Sequence, residues 1–405
     1  MLLVAFLLTV AAASETFAQD EKASPEIAPQ DQGEKEPAKK PPEIHLGGYL
    51  QLWWTIKEET ENGKFQPFTG DKAAQESSGF SFRRARLNAI IEKDVFRAKL
   101  ELALEGSVRL SDAYGVWSAI EKKLEVWAGQ MKIPSTYEVE TSSTGLDFAT
   151  RSQFSRLVAD WSLCRGATIS SPLHGIKTYL RDTGVGMKGE IGAGKYFVMV
   201  GNGLGSNLWI GGAENKQFVF ANSAGAYFYG ARVSYNLAQV IGQDSKKSLL
   251  PSAILGAHYC INRHPDLIYR DEKTVVDLDR ESWSLDLQVN IMNRLRLTGM
   301  MGRGLVLDDF DNDDKIDYIY EGLELKAIAV VIHGKLEVGL RYDTYSEEFF
   351  ENEMVDEIEC YTLGLTYAPR PGLKLQLNYK WKALNSDINP DIDDDVFLLA
   401  AQLEF

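Results

Sequence analysis

The feature that most constrains this chain is a strict alternation of apolar and polar residues in short segments. In LKLQLNYKWKAL, residues 373–384, apolar residues occupy nearly every odd position and Lys, Gln or Asn nearly every even one. Successive side chains of an extended strand point to opposite faces, so this period of two predicts a strand with one apolar face. That face could meet the core of a soluble sandwich or the lipid around a membrane barrel, and this strand alone does not distinguish them.

The same alternation recurs along the chain and predicts an all-β fold of about sixteen strands, whereas helical periodicity is scarce. Several segments have the roughly 9 to 11 residues that a tilted strand needs to cross a bilayer. No segment beyond the N-terminus has the ~18 consecutive apolar residues of a membrane-spanning helix. The predicted strands are residues 44–56, 80–92, 95–105, 110–120, 122–133, 183–191, 195–201, 224–236, 251–261, 280–291, 293–303, 317–331, 333–345, 357–368, 371–384 and 394–405.

The connections between these strands alternate in length. Short turns follow the second, fourth, tenth, twelfth and fourteenth strands, whereas long segments, such as 57–79, 134–182, 202–223 and 262–279, follow odd-numbered strands. The segment 237–250 departs from this rule. Short turns at one rim and long loops at the other are typical of antiparallel barrels in the Gram-negative outer membrane. The closing strand ends in Phe405, which resembles the terminal aromatic by which such proteins are recognised for insertion.

The N-terminal region predicts export. Residues 1–18 have an apolar core followed by small residues, as in a secretory signal peptide, although no Lys or Arg lies near Met1. Residues 19–43 are rich in Pro, Glu, Lys and Ala and predict a disordered periplasmic lead-in, because they bury too little apolar surface to offset the entropy of ordering. Residues 44–405 then form the predicted barrel domain.

Charge and cysteine content exclude several classes of protein. The net charge of −15 argues against nucleic acid as a partner, since proteins that bind it concentrate positive charge on one face. The three cysteines, Cys164, Cys260 and Cys360, have neither CxxC pairing nor His at metal-binding spacing, so they predict no zinc site and no disulfide framework.

An ordered set of short motifs resembles the phosphate-selective porins of the O and P type from Gram-negative outer membranes. The motifs are FSFRRARL at 80–87, LSDAYGVW at 110–117, GQMKIPSTYE at 129–138, LDFATRS at 146–152, RDTGVGMKGE at 181–190, VMVGNG at 198–203 and DDDVFLLAAQLEF at 393–405. The resemblance covers roughly residues 44–405. It implies a sixteen-stranded barrel, usually a homotrimer in outer-membrane lipid, whose third extracellular loop, here 134–182, folds inward and narrows the pore.

A row of cations on one strand face is the first candidate site. Arg84 and Arg86 share a face, and the next predicted strand adds Arg97 and Lys99. Guanidinium groups stay charged at any pH and match phosphate oxygens, so the row would favour entry of anions such as phosphate. The alternative is that these cations only pair with carboxylates of the barrel wall, for which Glu92, Glu101 and Glu105 are available.

Further basic candidates lie on the predicted third loop and on the fifteenth strand. Lys374, Lys380 and Lys382 share one strand face, although Lys382 could simply extend toward the membrane interface. In the loop region, Arg151 and Arg181 match positions of the resembled family, and a structural salt bridge is an equal alternative. The loop candidates are Lys132, Arg151, Arg156, Arg165 and Arg181. Five acids also fall on predicted lumen faces and argue against strict anion selectivity: Glu125, Asp286, Glu324, Glu337 and Asp343.

The acidic segment DDFDNDDKIDYI, from Asp308, has part of a calcium-loop spacing. Its carboxylates at the first, third, fifth and ninth positions are Asp309, Asp311, Asp313 and Asp317. Asp314 stands where Gly makes the turn, and Tyr320 where a bidentate acid belongs, so a solvated acidic loop is the alternative. No other cofactor is predicted.

The sequence therefore predicts a passive channel and not an enzyme, since it has neither HExxH nor GxSxG and its His are scattered. GEIGAGKY and GVGMKG match nucleotide-binding motifs in letters only. The channel would pass small hydrophilic solutes, with a preference for anions such as phosphate. The alternatives are a non-selective porin of the same fold and a secreted, calcium-dependent β-sandwich binding protein.

Overall fold

The described residues of the computed structural model form a closed barrel of sixteen antiparallel strands, which confirms the predicted fold. The structure describes residues 41–57, 78–106, 108–155, 180–203, 227–237, 252–268, 275–308, 316–349, 354–386 and 392–405. The predicted signal peptide and nearly all of the lead-in lie outside them. The strands are β1 Glu43–Lys57, β2 Gly79–Lys93, β3 Phe96–Ala103, β4 Arg109–Ile120, β5 Leu124–Lys132, β6 Arg181–Ile191, β7 Gly194–Gly201, β8 Tyr227–Asn236, β9 Ser252–Ile268, β10 Val275–Ile291, β11 Leu295–Asp308, β12 Ile316–Ile332, β13 Leu336–Phe349, β14 Met354–Arg370, β15 Leu373–Ser386 and β16 Ile392–Glu404.

Each strand pairs with its neighbours in sequence, and β1 closes the barrel by pairing with β16. At the seam the backbone N–H of Gly48 donates to the carbonyl of Phe405 (2.9 Å), and the N–H of Phe405 donates back to Gly48 (3.1 Å). Closure leaves no strand edge exposed, which is what a β-structure in hydrocarbon requires because lipid offers no hydrogen-bonding partners. The β-sandwich alternative is therefore wrong.

The two rims differ as the sequence predicts. At one rim the strands are joined by turns at 94–95, 121–123, 192–193, 292–294, 333–335 and 371–372, with 237–251 as the longer exception. The turn after β10 has positive φ at both Met292 and Asn293, and Arg294 N–H donates to the Ile291 carbonyl (2.9 Å), which is a type I′ hairpin. The chain termini of the barrel also lie at this turn rim.

The loop predicted at 262–279 is too long. β9 continues to Ile268 and β10 begins at Val275, so the connection is only 269–274. Arg263 pairs with Asp279 (3.5 Å) across this extension. Polar residues occupy both faces there, and the alternation on which the prediction rested is lost although the strand hydrogen bonds continue.

An apolar belt surrounds the outside of the barrel. On β14 the outward residues Tyr361, Leu363, Leu365 and Tyr367 are 39–51% exposed, whereas the inward Thr362 is buried. Exposed apolar surface on this scale does not occur on soluble monomers, and aromatic residues flanking Leu and Val are typical of strands in a bilayer. None of the helices among the described residues has the length and apolar character that a membrane crossing requires.

The strand quoted at the outset, β15, follows the same rule. Trp381 is 46% exposed on the outer surface, while Gln376, Asn378 and Lys382 are buried on the inner side. Its apolar face thus points to lipid, and its polar face points into the barrel.

Candidate functional site

The first part of the predicted third loop, residues 133–155, lies inside the barrel. It contains one helical turn, α1 Tyr137–Glu140, and a 3₁₀ turn at Ser143–Gly145. Ile133, Val139, Phe148 and Phe154 are at most 1% exposed. Because these loop residues are apolar, burying them against the inner wall fixes the segment across the lumen. The rest of the predicted loop, 156–179, lies outside the described residues.

Glycines of the inner wall make room for the apolar loop residues. Gly339 and Gly364 are partners in the β13–β14 register, and a Cβ at either would lie 2.9 or 2.6 Å from the Phe148 ring. A Cβ at Gly322 would lie 2.7 Å from Phe154. Contacts under 3.0 Å are not tolerated between carbon atoms, so only glycine permits this close approach.

Two predicted anion contacts instead hold the backbone of this loop. Lys132 Nζ donates to the carbonyls of Val139 (3.0 Å) and Thr141 (3.1 Å), where α1 ends. Arg151 donates to the carbonyls of Glu138 (3.0 Å) and Thr141 (2.9 Å). The last carbonyls of a helix have no partners within the helix, so the two cations satisfy them.

Ion pairs attach the loop to strands β11–β13. Asp147 accepts from Lys326 (3.0 Å) and Arg296 (2.8 Å), and Arg341 donates to the Thr150 carbonyl (2.8 Å). Burial alone would raise the pKa of Asp147, but the charges of Lys326 and Arg296 outweigh it and lower that pKa below its ordinary value. The carboxylate therefore stays ionised, and the attachment is preserved, under mildly acidic conditions.

Strand β15 holds the same middle part of the loop. Lys374 Nζ donates to the carbonyls of Thr144 (2.6 Å) and Leu146 (2.8 Å), and Asn378 accepts from the Ala149 N–H (2.8 Å). Lys374, predicted to line an anion path, thus also serves as a structural anchor. Arg232 on β8 meets Glu140 (3.2 Å); burial nevertheless raises the pKa of Glu140.

The predicted arginine row divides into two kinds of residue. Arg86 contacts Glu105, Ser111 and Glu101 (3.7 Å for Glu101) and is 9% exposed. This is the pairing within the barrel wall that the sequence left as an alternative. Arg84 is partly exposed, and among the described residues it meets only the amide of Gln51 (3.4 Å).

Arg84 has no carboxylate within ion-pair distance among the described residues, and its charged neighbours are cations. Arg83, Arg86 and Arg151 all act on it electrostatically. A β-bulge between Gln51 and Leu52 in the β1 register brings the Arg83 guanidinium over the Trp53 ring (5.0 Å). Arg84 therefore lies in a positively charged part of the wall.

The remaining predicted cations are mostly paired. Lys99 meets Asp112 (2.7 Å) and Glu101 (3.1 Å). Arg181 meets the same two acids, at 2.5 and 3.6 Å. Arg97 meets Glu125 (3.6 Å) and lies over the Trp127 ring (5.4 Å).

Lys380, on the inner face of β15, has no hydrogen bond or ion pair within the described part of the chain. Arg156, Asp309, Asp311 and Asp313 lie outside the described residues, and so does the side chain of Asp317. The described residues hold no group of His, Cys, Asp or Glu that could bind a metal ion. The predicted calcium loop therefore stays a prediction.

Sequence reasoning missed several inner cations. These are Arg83, Lys188, Arg232, Arg296, Lys326 and Arg341. The alternation of the strands could have revealed them. Arg341, for example, lies on the same strand face as Glu337 and Asp343, both of which were predicted to face the lumen. Alternate residues of a strand share a face, so Lys326 also lies beside Glu324, and their charged atoms are 3.7 Å apart.

Comparison with known proteins supports this picture. No protein-family model matches the sequence, and no curated protein matches it. Among solved structures, the chain is similar to an anion-selective porin from Comamonas acidovorans, with 15% identity, a TM-score of 0.58 and coverage of 90% of this chain and 100% of that one. The fold is that of the outer-membrane porins.

Two further structures show the same likeness. The trimer form of OmpT, an outer membrane protein of Vibrio cholerae, has 10% identity and a TM-score of 0.58, covering 90% of this chain and 100% of that one. The outer membrane channel DcaP of Acinetobacter baumannii has 12% identity and a TM-score of 0.55, covering 92% and 99%. The porin fold is thus confirmed, whereas the phosphate-selective O and P family stays a prediction.

Proposed function

We propose that this chain is a passive diffusion channel of the Gram-negative outer membrane that passes small hydrophilic solutes and prefers anions, phosphate among them. It is not an enzyme, and only the concentration gradient drives transport. The barrel wall supplies a polar lumen within an apolar belt, and the inner loop reduces the free cross-section.

The observation that carries the anion preference is the environment of Arg84. Arg84 is partly exposed and has Arg83 and Arg151 as charged neighbours, and among the described residues its hydrogen-bond partner is the neutral amide of Gln51. An anion at this position would exchange water for charge-assisted hydrogen bonds without displacing a resident carboxylate. Lys380 offers a second cation of this kind on the other side of the β1–β16 seam.

Two likenesses support the proposal. One similar structure is described as an anion-selective porin, and another as the trimer form of its protein. We extend both properties to this chain: an anion preference and assembly as a homotrimer in outer-membrane lipid.

The reversal potential of the channel in a KCl gradient across a planar bilayer tests the proposal. We expect the unmodified channel to give a reversal potential of the sign that chloride permeation produces. Arg84→Ala should shift this potential toward zero. Lys335→Ala, which removes an exposed lysine at a turn, should leave it unchanged. Millimolar phosphate should reduce the chloride current of the unmodified channel more than that of Arg84→Ala. A potassium-selective potential, or a potential that Arg84→Ala leaves unchanged, would contradict the proposal.

A non-selective porin is the second candidate, and the pairing of cations favours it. Arg86, Lys99 and Arg181 share Glu101, and Asp112 and Glu105 supply further negative charge, so this part of the wall is close to neutral. A reversal potential near zero in the same measurement would select this candidate.

A further inference from the structure

A cluster of rings and cations lies on the inner wall in the turn-side half of the barrel. It consists of Tyr114 on β4, Trp127 on β5, Phe197 on β7, Arg97 on β3 and Lys188 on β6. Trp127 is three residues from the start of β5 and Lys188 three from the end of β6. At ~3.3 Å per residue along a strand, both lie about 10 Å from the turn rim.

The rings form one continuous surface. The Trp127 centroid is 4.7 Å from that of Tyr114 and 6.4 Å from that of Phe197. Trp127 pairs with Gly186 in the β5–β6 register, and a Cβ at Gly186 would lie 2.9 Å from the Phe197 ring. The glycine thus leaves the space in which the two rings come together.

Two cations border this ring surface. Lys188 Nζ is 5.4 Å from the Trp127 centroid and 5.3 Å from that of Phe197, and Arg97 lies 5.4 Å from Trp127. The Lys188 side chain is exposed, and no carboxylate of the described residues is within ion-pair distance of it. Glu125 is already engaged by Arg97 (3.6 Å) and by the Trp127 N–H (3.0 Å). Glu140 also acts electrostatically on Lys188, but it pairs with Arg232 (3.2 Å), so the cluster itself has an unbalanced positive charge.

The rings of Trp127 and Tyr114 are partly exposed, whereas Phe197 is buried behind them. Partly exposed rings beside an available cation select a particular kind of solute. Inorganic phosphate would use the cations but gain nothing from the rings. A neutral ring compound would use the rings alone, and an organic cation would be repelled by Lys188. Only an anion that carries a ring uses both, through an ion pair and through ring contacts.

We propose that this cluster is a binding site for small organic anions in which a carboxylate is attached to an aromatic or other apolar ring. The carboxylate would meet Lys188, with Arg97 beside it, and the ring would pack against Trp127 and Tyr114. The site deepens the proposed function, on which it rests, because it names a class of solute that the channel retains on its way through.

Block of single-channel chloride current tests the site with three probes: benzoate, acetate, which lacks the ring, and benzylamine, which replaces the carboxylate by a cation. We expect benzoate to reduce the current at concentrations where acetate and benzylamine have no effect. Lys188→Gln should weaken benzoate block about tenfold, as expected from the loss of one charge-assisted hydrogen bond. Lys188→Arg should retain the block, and Lys122→Gln, at an exposed turn, should leave it unchanged.

Equal effects of benzoate and acetate, or benzoate block that Lys188→Gln does not weaken, would overturn this site. Trp127→Phe keeps a ring at this position, and the double variant Trp127→Phe/Lys188→Gln also lacks the cation. If benzoate block is weaker in the double variant than in Trp127→Phe while chloride still passes, the ion pair has been lost and the fold has not. The reversal potential in KCl is measured on the same channels. A chloride-selective potential without benzoate block overturns only the site, whereas a potassium-selective potential overturns the proposed function.

Discussion

Arg84 and Arg86 show how two residues of one type, two positions apart on one strand face, come to have different roles. Arg86 faces β3, β4 and the connection between them, where Glu101, Ser111 and Glu105 surround it. Arg84 faces β1, where its partner is the neutral Gln51. The neighbouring strands cause this difference. Arg86 is part of the wall, whereas Arg84 is available to a solute.

This division predicts opposite outcomes for two alanine variants. Arg86→Ala removes the closest cation from Glu105, whose side chain is 14% exposed, and one of the three cations near Glu101, and should lower the free energy of unfolding by about 3 kcal/mol. Within the part of the chain that the structure describes, Arg84→Ala removes no carboxylate's partner, so it should leave that free energy nearly unchanged. Urea unfolding in phospholipid vesicles, followed by tryptophan fluorescence, measures both.

Equal destabilisation by the two variants would show that Arg84 also pairs with a wall carboxylate. Arg86→Lys serves as the control, because it keeps the charge and should recover part of the lost stability.

Sequence alone could place these arginines on the inner face but could not assign their partners. The same limit applies to Lys132, Arg151 and Lys374, which were predicted to contact anions. Each donates to backbone carbonyls of the inner loop, and in the case of Lys374 the acceptors Thr144 and Leu146 are about 230 residues away in sequence. Every residue has a backbone carbonyl, so no pattern of side chains in the sequence indicates which carbonyls accept these hydrogen bonds.

At the scale of elements, the inner loop is held by shape as well as by charge. Phe148 lies against Gly339 and Gly364, and Lys326 with Arg296 binds the neighbouring Asp147. The glycine pocket fixes where the loop lies, and the ion pairs keep it at the wall. The loop is therefore part of the barrel interior.

A side chain at Gly364 should expel Phe148. Gly364→Val would place a Cβ 2.6 Å from the Phe148 ring, closer than two carbon atoms can approach. We expect the loop to leave the wall and the single-channel conductance to change from one steady level to a larger or fluctuating one. Planar-bilayer recording measures this.

Two further variants make this test specific. Phe148→Ala in the Gly364→Val background should restore a steady current, because the clash is removed. Gly115→Val, where the structure has no atom within 4 Å of the added Cβ, should behave like the unmodified channel. A steady, unchanged conductance in Gly364→Val would refute the close contact of loop and wall.

Strand positions followed from the sequence wherever one face was apolar and the other polar. β15 and β14 were predicted to within a few residues for this reason. The ends of β9 and β10 were missed, because polar residues such as Arg263 and Asp279 occupy the outer face beyond the belt. The inward course of the loop came only from the family resemblance, although buried apolar residues in a loop, such as Phe148 and Phe154, are a local signal for it.

At the scale of the whole molecule, the barrel is apolar outside and polar inside, the reverse of a soluble protein. Outward residues of β14 and β15 are Leu, Tyr and Trp, and the inward residues between them are Thr, Gln, Asn and Lys. Closure through β1 and β16 completes the cylinder, so water is confined to the lumen. Every statement about solute passage depends on this arrangement.

Spin labels on the outer face of β14 and the inner face of β15 test this arrangement most directly. We expect a label at Leu365 of the protein in phospholipid vesicles to be relaxed by oxygen, which dissolves in hydrocarbon, and hardly by a water-soluble nickel chelate. A label at Lys380, on the inner face of β15, should show the reverse. Chelate access at Leu365, or oxygen access without chelate access at Lys380, would contradict a barrel with lipid outside and water within.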